Sequence, residues 1–416
     1  MRRWLCACVV LLVLGVGGVA PQQPAAEPGA AEPAADVLAE GSGIADLRGG
    51  GAEFDLVLSR GVPYRAFTLD APPRLVLDFR GADFGRLDTG TLNAGDAITG
   101  LQAGIFEPGW SRLVAMLSGP MAITQAAMRL DGESGHAHLT VRLAPVGAED
   151  FAARSGMPQD PGWRPASPAP VPAPRPGRSN GARPLVVVLD PGHGGVDPGA
   201  ETAGIAEKDL MLTFARELRD VLLRGDDFQV MLTREDDRFV SLERRIALAH
   251  QARADVFISL HADSLIEGQA HGATVHVLSA EASDRASARL AERHDRDDLL
   301  AGVDLAGIDD EITDILLNLA QRETRPRSEA LARALVEGIS QTGSPMNRRP
   351  LRRAAFSVLK AADIPSVLVE VGFLSSPRDL RNLRDPRFRV TFAEGVRAGL
   401  EGWRQGDAEQ RALRRR

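Results

Sequence analysis

The first part of the chain, from about Ile44 to Val146, contains short runs in which apolar and polar residues alternate. The runs read FDLVLS, YRAFTL, RLVLDFR, SRLVAML and AHLTVRL, and glycine, proline and aspartate separate them. Such alternation is typical of strands buried on one face, so RLVLDFR should place Leu75, Leu77 and Phe79 on one side. The pattern predicts a small all-β, sandwich-like domain over residues 44–148.

From Leu185 onward, apolar runs alternate with amphipathic stretches. LVVVL, FQVML, DVFISL, GATVHVL, AFSVLK and SVLVEVGF have the composition of buried strands. EKDLMLTFARELRDVLLR carries one apolar face at helical spacing, formed by Leu210, Phe214, Leu218 and Leu222. Apolar strands that alternate with helices predict an α/β domain over residues 185–404, a mostly parallel sheet with helices on both faces.

Proline-rich segments mark the predicted boundaries between these parts. Residues 149–184 contain PASPAPVPAPRPGR, and proline at this density removes hydrogen-bond donors and stiffens the chain, which indicates a linker. PQQPAAEPGAAEPAA predicts a flexible linker over 21–43. The other predicted segments are a signal peptide at 1–20, a helical insert at 281–324 and a C-terminal tail at 405–416.

The first residues have the layout of an export signal. Arg2 and Arg3 precede an apolar run at 4–16, and the small residues at 18–20 form a cleavage site. The run is short for a bilayer span, so we expect no membrane span after cleavage. Cys6 and Cys8 lie within the signal, so any metal in the exported protein should be bound by histidine and carboxylate ligands.

Overall composition and charge exclude some classes of function. A length of 416 residues fits two domains with linkers, and a formal net charge of −7 argues against a nucleic-acid-binding protein. The glycine-rich stretch DPGHGGVDPG lacks the Lys-Ser/Thr ending of a nucleotide loop and the G-x-G-x-x-G spacing. We therefore expect no nucleotide site there, and attribute the glycines to positive φ angles and backbone room beside a metal or substrate.

Candidate chemistry lies at the ends of the predicted strands. His193 follows VVVLDPG, His261 ends VFISLH, Glu370 ends SVLVE, and Glu207 opens the first helix. In open α/β sheets, ligands bind beyond the carboxyl ends of the strands. Two histidines, a carboxylate and a water are the ligands of a catalytic zinc site, and a further carboxylate can take the proton of that water.

Each of these residues also has a simpler explanation. A histidine at a strand end can cap a turn, and Glu207 can favour a helix N-terminus through the helix dipole. Glu370 is harder to explain in this way, because a buried and unpaired carboxylate would cost several kcal/mol. Whether Asp190 and Asp197 orient His193 or only hold the turn stays open at this point.

Six motifs in order carry a family resemblance. VVLDPGHGGVDPGA, GIAEKDL, TREDDRFVSLERR, ADVFISLHAD, AAFSVLK and PSVLVEVGFLSS resemble the zinc-dependent N-acetylmuramoyl-L-alanine amidases of the AmiA/AmiB/AmiC type (Amidase_3) over about Leu185 to Trp403. The region around RLVLDF is similar to the AMIN domain that often precedes this catalytic domain.

The resemblance implies a function and a set of roles. It implies one Zn²⁺ ion bound by His193, Glu207 and His261, with Glu370 as the catalytic glutamate. It also implies periplasmic hydrolysis of the amide between the lactyl group of N-acetylmuramic acid and L-alanine in peptidoglycan, for septal wall splitting. The chain departs from the family at Asp263 and Ser376, where asparagine is common, so contacts around the metal or substrate are expected to differ.

The insert at 281–324 resembles the family's regulatory segment, whose helix can occlude the metal cleft until a LytM-type activator binds. Its occluding residue would be Glu292 or His294 in LAERHDRDD. An apolar stripe at helical spacing could dock the activator or could equally pack against the domain, and it comprises Ile312, Ile315, Leu316 and Leu319.

Two other functions use the same residues. A zinc peptidase acting within the stem peptide would also need two histidines, a carboxylate ligand and a glutamate base. A non-enzymatic wall-binding protein with a vestigial metal site is the third hypothesis, which the presence of all four residues disfavours.

Overall fold

The structure is a computed structural model. It describes residues 34–85, 87, 89–92, 95–107, 109–158, 183–264, 271–300, 311–361 and 363–414, of which 295–300, 311–323 and 410–414 are described by backbone alone. The predicted signal peptide (1–20) lies outside the described residues. Among the helices in these ranges, none combines the length and the apolar character needed to cross a bilayer.

The N-terminal domain is built of strands in two sheets. Its elements are β1 (Ala35–Leu47), β2 (Gly51–Leu58), β3 (Tyr64–Leu69), β4 (Arg74–Arg80), β5 (Ala82–Asp83), α1 (Thr89–Leu92), β6 (Ile98–Glu107), β7 (Trp110–Leu117), β8 (Met121–Leu130), β9 (Ala137–Pro145) and α2 (Ala148–Arg154). Within the described residues, the sheets have the orders β5-β1-β2-β9-β8 and β3-β4-β7-β6. Neighbouring strands run antiparallel, except that β1 and β5 are parallel.

The core of this domain draws on both sheets. Leu75, Leu77 and Phe79 of β4 are fully buried and share one apolar cluster with Phe54 of β2. Val76 belongs to a different cluster, as expected for the residue that faces the other side of the strand. The prediction of an all-β, sandwich-like domain is confirmed.

The domain extends beyond its predicted ends. β1 begins at Ala35, inside the predicted 21–43 linker, and Ala35 and Val37 are buried while the residue between them is exposed. α2 lies inside the predicted 149–184 linker, and its Phe151 is buried in the domain core. The alanine-rich composition of this stretch did not indicate the strand β1. The helix α2 is held by one buried aromatic residue, Phe151, and the surrounding sequence does not suggest a helix.

The C-terminal domain is organised around one large sheet. Its strands are β10 (Leu185–Pro191), β11 (Glu201–Thr202), β12 (Ile205–Ala206), β13 (Phe228–Leu232), β14 (Val256–His261), β15 (Ala273–Leu278), β16 (Met346–Ala354) and β17 (Ser366–Glu370). The order is β13-β10-β14-β17-β15-β16 within the described residues, with β11 and β12 paired separately. All neighbours in the large sheet are parallel except β15 and β17.

Helices cover both faces of this sheet. They are α3 (Glu207–Leu222), α4 (Leu242–Gln251), α5 (Arg285–Leu300), α6 (Glu311–Gln341), α7 (Pro377–Arg384), α8 (Pro386–Arg414) and a 3₁₀ helix (Ser357–Leu359). Val187 and Leu189 of β10 pack with α3, α6 and α8, whereas Val188 between them packs with α4 and α5. The predicted α/β fold, mostly parallel with helices on both faces, is confirmed.

The long helix α6 has two parts. Leu331, Leu335 and Ile339 are fully buried in the cluster that also contains the buried face of α8. Pro326 lies inside the helix, ahead of this packed part. Because an internal proline removes a backbone hydrogen bond, it separates the packed half from residues 311–325, which belong largely to the predicted insert.

Two predicted elements differ from the structure. AFSVLK is not a strand, because β16 ends at Ala354 and the 3₁₀ helix follows; Val358 and Leu359 are apolar because they are buried behind the sheet. A short apolar run does not distinguish a buried strand from a buried helical segment. The predicted tail at 405–416 is helical as far as Arg414, as a continuation of α8.

Candidate metal centre at the carboxyl edge of the sheet

The four candidate residues lie at one edge of the sheet. His261 and Glu370 are the last residues of the neighbouring strands β14 and β17 and stand in register with each other. Glu207 is the first residue of α3, and His193 lies in the loop after β10. The parallel strands therefore bring together residues that are up to 177 positions apart, Glu370 being 177 after His193.

Three of these side chains meet directly. Glu207 lies between the histidines, with Oε2 3.3 Å from His193 Nε2 and Oε1 3.2 Å from His261 Nδ1. All three are buried, and the two rings stand edge to face with centroids 4.9 Å apart. The ligand atoms of His193, Glu207 and His261 are thus gathered at one point.

A third histidine completes this cluster. His294 of α5 is buried, and its ring centroid lies 4.1 Å from that of His261 and 5.8 Å from that of His193. One donor nitrogen from each histidine lies within 4.8 Å of the others, a grouping that could hold a metal ion. Glu292 is exposed on the same helix, because two residues correspond to about 200° of rotation. Of the two predicted occluding residues, only His294 is in the buried cluster.

Asp197 orients His193. Its Oδ2 lies 2.8 Å from His193 Nδ1, which directs the other ring nitrogen toward Glu207. Asp190 acts on the backbone instead: it pairs with Arg245 at 2.6 Å, and Arg245 also donates to the His193 carbonyl at 2.9 Å. Carboxylate–histidine pairs of this kind fix the ring and its tautomer at metal sites.

Arg245 was not singled out from the sequence, although a signal was present. It occupies the apolar face of α4 at spacings of three and four residues from Leu242 and Ala249. A charged residue within an apolar face must have a buried partner, which here is Asp190.

The loop also needs glycine for space. A Cβ atom on Gly192 would lie 2.2 Å from Cε1 of His261. Any larger residue would displace that ring, so this glycine provides the backbone room that the sequence pattern indicated.

Burial and neighbouring charges shift the pKa values at this site. Burial would lower the pKa of His193, but the carboxylates of Asp197 and Glu207 raise it well above its usual value. Burial, together with His294 and His193, lowers the pKa of His261 to about 4, so this ring is neutral at neutral pH. A neutral imidazole offers a lone pair to a metal.

Glu370 lies beside this cluster with one oxygen engaged. Its Oε2 accepts a hydrogen bond from the backbone N–H of Asp263 at 3.1 Å, while Oε1 has no hydrogen-bond partner among the described residues. Burial, Asp263 and Glu207 raise the pKa of Glu370 well above its usual range. Its carboxyl group therefore has a high affinity for a proton.

The two family departures have different positions. Asp263 is buried next to Glu370, and its carboxylate pairs with Arg293 of α5 and lies 3.4 Å from Nε2 of His294. Ser376 caps α7 by accepting a hydrogen bond from the Asp379 backbone N–H at 3.3 Å. Only the first of these substitutions touches the candidate centre.

Comparison with known proteins places the chain in a family. Residues 187–402 match the N-acetylmuramoyl-L-alanine amidase family, and residues 44–143 match the AMIN domain. N-acetylmuramoyl-L-alanine amidase AmiC of Escherichia coli O6:H1 is 30% identical over 363 residues, which cover 83% of this chain and 84% of that protein.

Two further relatives agree. AmiC of Neisseria meningitidis serogroup B is 33% identical over 350 residues, covering 81% of this chain and 83% of the relative. AmiA of Escherichia coli K12 is 37% identical over 229 residues, covering 55% and 78%. The chain therefore belongs to the N-acetylmuramoyl-L-alanine amidase family, in its AmiA/AmiB/AmiC type with an N-terminal AMIN domain.

Proposed function

We propose that this chain is a periplasmic zinc hydrolase that cleaves the amide between the lactyl group of N-acetylmuramic acid and L-alanine in peptidoglycan. The observation that carries the proposal is the convergence of His193, Glu207, His261 and Glu370 at one edge of the sheet. Family membership supports the reaction, and the predicted signal at 1–20 supports the periplasm. Septal wall splitting during cell separation is the role proposed for the reaction.

The donor set fits a zinc ion. Two imidazoles and a carboxylate are the ligands of many catalytic zinc sites. Neither ring nitrogen of His294 makes a hydrogen bond with the described residues, although the ring is buried. Buried polar atoms are seldom left unpaired, and a cation at this point would bind one of these two nitrogens.

Glu370 would move the proton. A zinc ion bound here would supply Lewis acidity at the amide carbonyl and acidify water in the cleft. As water attacks the carbonyl carbon, the Glu370 carboxylate accepts its proton and then delivers it to the amine nitrogen as the C–N bond breaks. The Asp263 backbone N–H holds this carboxylate through Oε2. The products are a lactyl carboxyl group on the glycan and a free L-alanine amine.

Mass spectrometry of digested peptidoglycan tests the bond that is cut. We expect intact stem peptides with a free N-terminal L-alanine, and glycan free of peptide. Chelation should stop their release and Zn²⁺ should restore it, because metal removal takes away the centre's Lewis acid. Shortened stem peptides would instead indicate the peptidase alternative, and full activity after chelation would contradict the metal requirement.

We also propose that the resting centre is closed by His294. Three histidines and Glu207 would give a four-coordinate site, and closed sites of this kind are structural, whereas catalytic sites keep a position for water or substrate. Arg293 holds the same helix turn in place by pairing with Asp263 and donating to the Ser264 carbonyl at 2.6 Å. Hydrolysis then requires this turn of α5 to leave.

Replacing His294 by alanine should raise the basal rate of hydrolysis. We expect an increase of about tenfold, which corresponds to losing about 1.4 kcal/mol of occluding contact. The rate is measured on purified peptidoglycan without an activator. This variant is a cleaner test than deletion of residues 281–324. Leu290 and Ala291 of α5 are part of the core, and the deletion would expose that core to solvent.

Glu292→Ala is the matched control for this variant. It truncates an exposed side chain on the same helix and should leave the basal rate unchanged. An unchanged or lower rate for His294→Ala at wild-type thermal stability, or an equal rise for Glu292→Ala, would contradict occlusion by His294.

The activator is proposed to be a LytM-type protein that docks on the insert. Residues 311–323 have a helical backbone within α6, which fits the predicted stripe. The side chains of Ile312, Ile315, Leu316 and Leu319 lie outside the described residues, so the stripe remains a prediction from spacing.

A further inference from the structure

The N-terminal domain touches the loop that carries His193. The backbone N–H of Val196 donates to the carbonyl of Ile105, on β6, at 3.0 Å. Next to this bond, the ring of Phe106 stacks on Phe239 of the catalytic domain, with centroids 5.7 Å apart and planes inclined by 16°. Val196, Phe239 and Phe106 form a small apolar cluster between the domains.

The two backbones approach so closely that both must be glycine at the contact. A Cβ atom on Gly104 would lie 2.8 Å from the carbonyl oxygen of Gly195 and 3.0 Å from Cα of Val196. A Cβ atom on Gly195 would lie 1.8 Å from the carbonyl oxygen of Ile105. Gly195 also has φ of +60°, which disfavours a side chain. This is a close-packed backbone contact.

The contact lies a few bonds from the metal-site histidine. Val196 adjoins Asp197, whose carboxylate orients the His193 ring, and the backbones of Gly194 and Asp197 are joined by two hydrogen bonds of 2.9 and 3.1 Å. Any displacement of Val196 therefore moves the group that aims His193.

The catalytic domain supports the same loop from the other side. Asp237 accepts a hydrogen bond from the Gly195 backbone N–H at 2.7 Å, and Lys208 donates to the Gly195 carbonyl at 2.9 Å. Lys208 also pairs with Asp237 at 2.8 Å. The loop is thus held between this polar pair and strand β6.

The strand that makes the contact is itself rigidly held. The guanidinium carbon of Arg112, on the neighbouring strand β7, lies 3.6 Å from the Phe106 ring centroid. Arg112 is fully buried and pairs with Asp78 at 2.6 Å. Glu107 follows Phe106, and burial raises its pKa against the opposing effect of Arg112 and then of Arg238. A fixed strand can position what it touches.

We propose that the N-terminal domain is a positioning element for the metal centre, with Gly104, Ile105 and Phe106 as its positioning residues. Docking of β6 restrains Val196 and Asp197 and so pre-orients His193 for Zn²⁺. Because linkage is reciprocal, metal binding must also strengthen docking. The inference rests on the proposed zinc site, and it gives the domain a part in assembling the centre.

The test compares Gly104→Ala with Gly132→Ala in the full chain. Both add one methyl group to a glycine of the same domain, but the Gly132 methyl would meet nothing within 4 Å. Zn²⁺ affinity is measured by competition with a chromophoric chelator. Gly104→Ala should lower it by about fivefold or more, the low end of coupling between linked sites, and Gly132→Ala should not change it.

Hydrogen exchange reports docking independently of metal and activity. In Gly104→Ala the amide of Val196 should exchange faster, and in the wild type Zn²⁺ should slow the exchange of the β6 peptide. Phe106→Ala removes the stack on Phe239 without adding a clash. It should also lower the Zn²⁺ affinity and speed the exchange of the Val196 amide, and it replaces Gly104→Ala if that variant fails to fold.

Three other results would each contradict one of the two proposals. Faster exchange at Val196 with unchanged Zn²⁺ affinity would overturn the proposal, because docking would then not position the centre. Unchanged exchange in Gly104→Ala would overturn it as well, because the close approach would not exist. A wild-type protein that binds no Zn²⁺ would instead contradict the proposed function.

Discussion

Replacing Glu370 by glutamine should reduce hydrolysis of peptidoglycan by about 10²–10⁴-fold, the usual contribution of a positioned general acid–base group. Glutamine keeps the size of the side chain and an oxygen for the Asp263 N–H, but it cannot take a proton from water. The strongly raised pKa of Glu370, caused by burial and by Asp263 and Glu207, suits a group that must accept a proton and pass it on.

The measurement separates catalysis from metal binding and folding. Release of soluble peptide from purified sacculi gives the rate, and metal analysis gives the zinc content, which should equal that of the wild type. A Glu370→Gln protein that keeps the wild-type rate would contradict the proposed role. Loss of both rate and metal would instead place Glu370 among the ligands.

Replacing His193 by alanine should abolish both zinc binding and hydrolysis. We expect Zn²⁺ affinity to fall by more than about 100-fold, because changing a residue that merely orients a ligand already costs about 10–100-fold. Asp197→Asn tests the smaller effect expected for a residue that orients a ligand, since the Asp197 carboxylate lies 2.8 Å from the His193 ring. His193→Ala should therefore lower the Zn²⁺ affinity more than Asp197→Asn does in a chelator competition assay.

His250→Ala is the matched control for the histidine variant. His250 is exposed and pairs with Asp363 at 2.7 Å, on a different part of the domain surface. Its removal should change neither metal content nor rate. Full zinc affinity in His193→Ala, with His261, Glu207 and His294 still present, would show that the resting cluster binds metal without the predicted ligand.

The candidate centre could be predicted because sheet geometry converts sequence position into spatial position. Residues that directly follow apolar strands must meet when those strands are parallel neighbours, and His261 and Glu370 do so in register. The choice between Glu292 and His294 could not be made in this way. It depends on how α5 is rotated, and in this polar stretch the buried face is marked only by Leu290 and Ala291, four and three residues before His294.

Other features depend on contacts that sequence patterns do not encode. The 3₁₀ helix at Ser357–Leu359 is as apolar as a strand because it is equally buried. The contact between Gly104 and Gly195 joins domains across a proline-rich segment, whose composition indicates only that it does not pack as a core. Glycines that appear to be ordinary turn or strand residues are in fact required by a partner far away in sequence.

The position of Pro326 in α6 has a consequence for how the proposed activator would act. The half of the helix after Pro326 is part of the catalytic core, while the half before it carries the predicted docking stripe. A ligand that pulls on the first half would meet its weakest point at the proline, where one backbone hydrogen bond is already missing. A force on the insert would then bend α6 at Pro326, and the sheet edge that presents the ligands would keep its shape.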